Sequence, residues 1–227
     1  MRPAELSLEA DFYPGVASAA LALLTDPSSR MRRVLREVLV GRVYPDLLLG
    51  EWRSSQSPFA ARRLTTTECA ILHDLQEGSA TVTEFRTGSG RGIVLRDPEA
   101  SLVRLQRLGL VSRDDRGAWR RESDERLDAV RLTAVEAKLT RWQEALAQAL
   151  NTRLFVHRAF VLLDSRRVEI DDMVISTFRA QGVGLLVRQG RGARVVVQGV
   201  HSTPTSHEWI VAVDKLLHTG TRALRAS

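Results

Sequence analysis

Glu136 and Lys138 stand two residues apart in an otherwise apolar run, Ala134-Val-Glu-Ala-Lys138. In an extended strand alternate side chains share a face, so the carboxylate and the ammonium project from the same side. Two charges on one face of an apolar strand are costly to bury without a purpose. The lysine is conspicuous for a second reason: of 33 basic residues only Lys138 and Lys215 are lysines. A GC-rich coding sequence accounts for that bias. A lysine retained against it marks a place where a compact, tunable amine serves and a fixed guanidinium does not. On its own a Glu-x-Lys also occurs as a solvated pair on an edge strand, so its setting has to supply the specificity.

A second carboxylate is available upstream in Gly41-Arg-Val-Tyr-Pro-Asp-Leu-Leu-Leu49, a short apolar run after a glycine that reads as a buried strand. Asp46 follows Pro45 there, and its bland reading is a turn or cap residue. Asp124 and Asp128 are rivals nearer the Glu-x-Lys, although Asp128 lies only eight residues before Glu136, tight for a hairpin that brings both to one site. His73, His157, His201, His207 and His218 are scattered without zinc-type spacing. The single cysteine, Cys69, excludes an internal disulfide and a cysteine-based zinc site. The stretches 88–92 and 190–192 are glycine-rich, but neither joins a strand to a helix with phosphate-loop spacing.

The elements around these residues change texture twice. Residues 1–58 begin with two expected helices, about 16–24 and 28–39, before the strand that carries Asp46; Ser54 to Pro58 is a polar break. In 59–122, Thr65-x-x-Glu68 and Thr81-x-x-Glu84 are capping boxes, each opening a helix. Asp97-Pro98 starts a third helix, read as N-cap and first helical residue. Val111 to Arg121 is expected to be a hairpin turning at Asp114-Asp-Arg-Gly117. From 123 to 227 the rhythm is strand, helix, strand: 130–138, a helix capped at Thr140, 155–163, a helix over 170–181, two strands about a Gly/Arg turn, and a last helix over 207–224. Such alternation predicts an α/β domain.

Three helices and a basic hairpin resemble a winged helix-turn-helix, most closely over Ala100-Ser-Leu-Val-Arg-Leu-Gln-Arg-Leu-Gly-Leu-Val111 and the wing after it. With Leu102, Leu105 and Leu108 turned to the core, Ser101, Arg104 and Arg107 are expected on the face offered to a major groove. Between Arg91 and Arg121 there are eight arginines against four acids, and Arg113, Arg116, Arg120 and Arg121 of the wing are candidates for phosphate contact. A solvated basic face, or a winged helix that binds protein, is the plainer alternative.

The segment Val135-Glu-Ala-Lys-Leu-Thr-Arg-Trp-Gln-Glu-Ala-Leu-Ala-Gln-Ala149, with Tyr44-Pro-Asp46 upstream, resembles the PD-(D/E)XK superfamily of restriction-endonuclease-like nucleases. The resemblance covers about 28–52 and 127–190. It implies a mixed sheet flanked by helices, with the Glu-x-Lys on the third core strand. It also implies phosphodiester hydrolysis, with Asp46 and Glu136 holding Mg²⁺ (Mn²⁺ able to substitute) and Lys138 positioning water or neutralising charge on the phosphate. Gln148 matches a glutamine of some branches that orients the lysine; where those branches carry an aromatic four residues on, this chain has Thr152.

The resulting expectation is a discontinuous nuclease-like domain, 1–58 with 123–227, interrupted by a winged helix at 59–122. A net charge of +6 and a pI near 10.5 fit DNA as the partner. No apolar run is long enough for a membrane span and no signal peptide is apparent, so a cytoplasmic protein is expected. A homodimer is among the assemblies this architecture allows. The alternative reading is a non-catalytic, DNA-binding transcriptional regulator with a degenerate nuclease-like domain.

Overall fold

A computed structural model of the chain describes residues 31–52, 63–89, 93–122, 130–189 and 192–218. The chain divides into two compact units. One runs over Met1–Ser55, Val130–Thr205 and Gly220–Ser227, the other over Gln56–Ala129 and Ser206–Thr219.

The first unit is built on a six-stranded mixed sheet. Its strands are β1 (Met31–Arg36), β2 (Leu47–Trp52), β5 (Arg131–Lys138), β6 (Arg158–Asp164), β7 (Gly184–Gln189) and β8 (Gly192–Val197), adjacent in that order. Strands β1, β2 and β5 are antiparallel neighbours, β5, β6 and β7 run parallel, and β8 returns antiparallel. Parallel neighbours require crossovers. Helix α4 (Trp142–Thr152) crosses from β5 to β6 and packs on both; α5 (Asp172–Gln181) leads from β6 to β7 and packs on β7 and β8. Both faces of β5 are buried, which explains its near-continuous apolar sequence. One face of the sheet gathers Leu47, Leu49, Val135, Ala137, Phe160, Leu162 and Leu186 into a core cluster. By alternation Glu136 and Lys138 project from the other face.

Gly184 lies opposite Phe160 in the β6–β7 register, and a Cβ there would come within 2.1 Å of the Phe160 ring. The glycine is therefore a packing requirement of the parallel core.

Residues 31–36 are a strand where a helix over 28–39 was expected. Met31-Arg-Arg-Val-Leu-Arg36 is adequate helix sequence, but pairing with the buried β2 decides the conformation, since tertiary context overrides weak propensity. The expected helix over 16–24 and the Ser54–Pro58 break lie outside the described residues. The strand bearing the Asp46 region pairs directly with β5 across the intervening sequence, Leu47 standing opposite Val135. Helix α4 begins after Arg141 with no side-chain cap, so Thr140 does not cap it.

The second unit comprises α1 (Thr66–Asp74), a 3₁₀ turn at Leu75–Glu77, α2 (Val82–Thr87), α3 (Glu99–Arg107), the hairpin β3 (Val111–Arg113) and β4 (Trp119–Arg121), and α6 (Glu208–His218). Both capping boxes are formed, at Thr65/Glu68 and Thr81/Glu84. Ala80 forms an isolated antiparallel bridge with Trp119, exchanging backbone bonds of 2.8 and 2.7 Å, so a single residue before α2 extends the hairpin. The hairpin turn is closed as its residues suggest: Asp114 Oδ1 accepts from the amides of Arg116 and Ala118, and Gly117 takes a φ of 82°. At α3 Pro98 holds the N-cap position with no side-chain bond, displacing the expected Asp97 cap by one residue.

Helix α6 belongs to this unit, whereas the sequence assigns it to the nuclease-like domain. Its buried Trp209, Ile210, Val213 and Leu216 form an apolar face. Asp214 Oδ1 accepts from the Leu64 amide at 3.0 Å just ahead of α1. Burial raises the Asp214 pKa.

Candidate functional site

Residues 37–46, between β1 and β2, form a doubly closed loop. Glu37 N–H donates to Asp46 O at 3.0 Å, and Val40 and Val43 exchange backbone bonds of 2.8 and 3.0 Å around Gly41-Arg42. Gly41 has a φ of 59°, as a two-residue hairpin turn with glycine first requires. The loop delivers Asp46 to the end of β2, where Pro45 before it is buried.

There the Asp46 carboxylate accepts, through Oδ2, the backbone amide of Ala137 at 2.6 Å, although the two residues are 91 apart in sequence. Ala137 is the central residue of the Glu-x-Lys. Extending the β2–β5 register by one step beyond Leu47 and Val135 puts Asp46 opposite Glu136.

Glu136 is 2% exposed, and its Oε1 has no hydrogen-bond partner. Burial, then the nearby Asp46 carboxylate, push its pKa up to about 8, while the Lys138 ammonium and the Asp46 backbone pull the other way. Lys138 is half-buried on the same side of β5. The arrangement is a carboxylate pair with an orphaned, desolvated oxygen and an ammonium at its edge. Such a pair suits a hard cation, which restores the missing partner and removes the like-charge repulsion. Among the described residues no group of three or more His, Cys, Asp or Glu side chains gathers to hold a metal. Asp46 and Glu136 are the carboxylates that the described residues offer such a cation, and Mg²⁺ commonly takes one or two carboxylates and fills its sphere with water and phosphate oxygens.

Gln148 lies exposed on α4, beside the buried stripe of Ala145, Leu146, Ala149 and Thr152. Asp124 and Asp128 fall outside the described residues. At the carboxyl end of β6, Asp164 is almost fully buried and bonds Arg166 through both oxygens, at 3.0 and 2.6 Å, which holds its pKa down. His157 is buried and its Nδ1 accepts from the Leu132 amide at 3.1 Å; burial, with Arg131 next, lowers its pKa to about 4, so it is a neutral structural histidine.

In the second unit Leu102 and Leu105 are fully buried, but α3 is turned so that Arg104 is engaged elsewhere. Its Nη1 meets both carboxylate oxygens of Glu68, at 2.6 and 2.5 Å, and its Nη2 donates to Arg63 O at 2.8 Å. Glu68 is 1% exposed, so the guanidinium neutralises a buried acid. Arg104, expected on the groove-facing side, is thus half-buried and paired with Glu68. Ser101 is half-buried, and the exposed residues of α3 are Ala100, Val103, Gln106 and Arg107. On the hairpin Arg116 is exposed, whereas Arg113 donates to Gly117 O and lies 5.7 Å over the Trp119 ring. Arg120 is exposed but donates to Ser112 Oγ at 2.9 Å and approaches Glu122.

Two features escaped the sequence. The Ala137 amide holds Asp46, and a backbone donor leaves no trace in residue type. Glu68 reads fully as a capping-box acid, which hides its second role as partner of Arg104.

Among the described residues no helix is long and apolar enough to cross a membrane. No family model matches the chain. No curated protein matches it. Among solved structures, a protein of unknown function from Silicibacter pomeroyi superposes with a TM-score of 0.29 at 17% identity, over 38% of this chain. The chain covers 55% of the length of that protein.

Proposed function

We propose that this chain is a metal-dependent DNA nuclease of the PD-(D/E)XK type, an endodeoxyribonuclease positioned on duplex DNA by a winged helix. The observation that carries the reading is the bond from the Ala137 amide to Asp46, which brings the upstream acid to the Glu-x-Lys from 91 residues away. The setting of the pair supports it. β5 is the third strand of the sheet counted from β1, is followed by an amphipathic helix, and leads to another apolar strand in parallel.

In this reading Asp46 and Glu136 would hold Mg²⁺, the partnerless Glu136 oxygen marking the position a cation would satisfy. A bound cation supplies Lewis acidity towards a phosphodiester and lowers the pKa of water beside it. Lys138, on the same face as Glu136, orients the attacking water and offsets the negative charge that builds on the phosphate. Asp46 depends on the Ala137 amide for its orientation, so the sheet register itself aligns the site. In the second unit, the succession α1, Ala80 bridge, α2, α3 and hairpin supports the winged-helix assignment. Arg107 and Arg116 are then the arginines best placed for phosphate, with Ser101, Arg113 and Arg120 at the margins of that surface.

The test is incubation with plasmid, single-stranded and branched DNA in Mg²⁺, Mn²⁺ or EDTA. Cleavage is expected with either metal and absent in EDTA. Asp46→Ala, Glu136→Ala and Lys138→Ala should each abolish it while leaving DNA binding largely intact, because their roles are strongest in the transition state. Undiminished cleavage by the Lys138→Ala protein at matched purity overturns the assignment.

A further inference from the structure

Two residues before Asp46 the loop carries Tyr44, which is 61% exposed. The exposed ring is carried on the loop that delivers Asp46 to the acid pair. The loop that bears it is held at two levels, by the Glu37–Asp46 bond and by the Val40–Val43 pair. Pro45, the next residue, is buried and its ring restricts the backbone there. Arg36 and Arg42 are exposed on the same loop and at the end of β1, with Glu37 the one acid among them. An exposed aromatic on a hydrogen-bonded loop, with exposed arginines close by in sequence, is a combination that single-stranded nucleic acid uses: bases stack on the ring while arginines follow the backbone phosphates.

We propose that Tyr44 is a base-stacking platform, a positioning residue that takes an unpaired nucleobase of DNA next to the strand whose phosphodiester lies at Asp46 and Glu136. The inference rests on the nuclease reading above and deepens it, because it names single-stranded or locally unpaired DNA as the substrate class. A paired base is already stacked on its neighbours and has no free face for Tyr44. The backbone that carries the ring lies within the Glu37–Asp46 closure, so stacking requires little further ordering of the main chain. Arg36 and Arg42 add an attraction that does not depend on sequence and weakens with salt.

Fluorescence anisotropy with labelled oligo(dT) and with a labelled duplex of equal length tests this in EDTA, where cleavage is arrested. For Tyr44→Ala, affinity for oligo(dT) should fall about tenfold, the loss of one base stack, while affinity for the duplex stays within about twofold. Tyr44→Phe keeps the ring and should bind as the parent does. Thermal unfolding of both variants should match the parent, since the side chain is mostly solvated. Equal losses on both DNAs, or an oligo(dT) affinity that ignores Tyr44, overturn the platform. Cleavage is scored separately. A protein that binds oligo(dT) through Tyr44 but cuts no DNA keeps the platform and loses the nuclease reading. One that cuts DNA with no dependence of binding on Tyr44 keeps the nuclease and loses the platform.

Discussion

Replacing Glu136 by glutamine tests the electrostatics of the site without any substrate. Glutamine preserves the shape and removes the charge that burial penalises. In the folded protein the Glu136 carboxyl is held up to about 8 against an ordinary 4.5, by burial first and Asp46 second. Below pH 4.5 both folded and unfolded chains carry the proton, and the residue leaves stability unchanged with pH. Between 4.5 and 8 the unfolded chain ionises while the folded one does not, so stability is lost as the pH rises. Above 8 both are ionised and the loss levels off. Each pH step of one within that interval is worth about 1.4 kcal/mol, so the metal-free protein forfeits about 1 kcal/mol at pH 5, about 3 at pH 7 and about 5 at pH 9. Glu136→Gln removes that dependence. Urea unfolding of both proteins in EDTA across this range should show a gap that moves in favour of the glutamine variant by about 4 kcal/mol from pH 5 to pH 9. A gap constant with pH would mean that Glu136 ionises normally and is solvated, and the argument for an orphaned carboxylate at the proposed metal position would fail.

Arg104→Ala should cost about 3 kcal/mol in urea unfolding, because it strands the buried Glu68 without its counter-charge; a loss near zero would show the pair to be ornamental. Arg107→Ala and Arg116→Ala should leave stability within about 0.5 kcal/mol yet each reduce the slope of log affinity for duplex DNA against log salt by about one. Unchanged slopes would remove these side chains from the DNA surface. Gly184→Ala should destabilise by about 2 kcal/mol or more, since its Cβ would meet the Phe160 ring at 2.1 Å, and Phe160→Val in the same protein should recover part of the loss. Calorimetry of the single and double variants measures this.

Much of the local structure is written in short-range signals. Thr65-x-x-Glu68 and Thr81-x-x-Glu84 open their helices because both halves of each reciprocal bond lie within four residues. Glu136 and Lys138 are legible for a related reason, since alternation on a strand is a local property. What the sequence hides is decided at a distance. Residues 31–36 have no marked preference of their own and become a strand by pairing with β2. The rotation of α3 that turns Arg104 to Glu68 depends on α1, 36 residues earlier. The apolar stripe of α6 marks a buried face without saying which unit buries it. Asp46 is recognisable as an acid in the right context, whereas its anchor on a main-chain amide has no signature at all.

The pairing of β2 with β5 has a consequence for the order in which the molecule is made. Its two strands enclose nearly the whole second unit, and the contact from Asp46 to Ala137 spans 91 residues. Closing a disordered loop of that length costs about 3 kcal/mol more in chain entropy than closing a hairpin of a few residues. Prior collapse of the enclosed segment around Leu102, Leu105 and Phe85 would shorten the free chain to be closed and lower that penalty. On loop-closure grounds the acid pair is expected to be a late contact, formed after the enclosed segment has begun to fold. Refolding kinetics should show the proposed cleavage activity returning behind the signal of that unit. A core substitution such as Leu102→Ala, in a different unit from either acid, should delay the return of the proposed cleavage activity without altering the finished site.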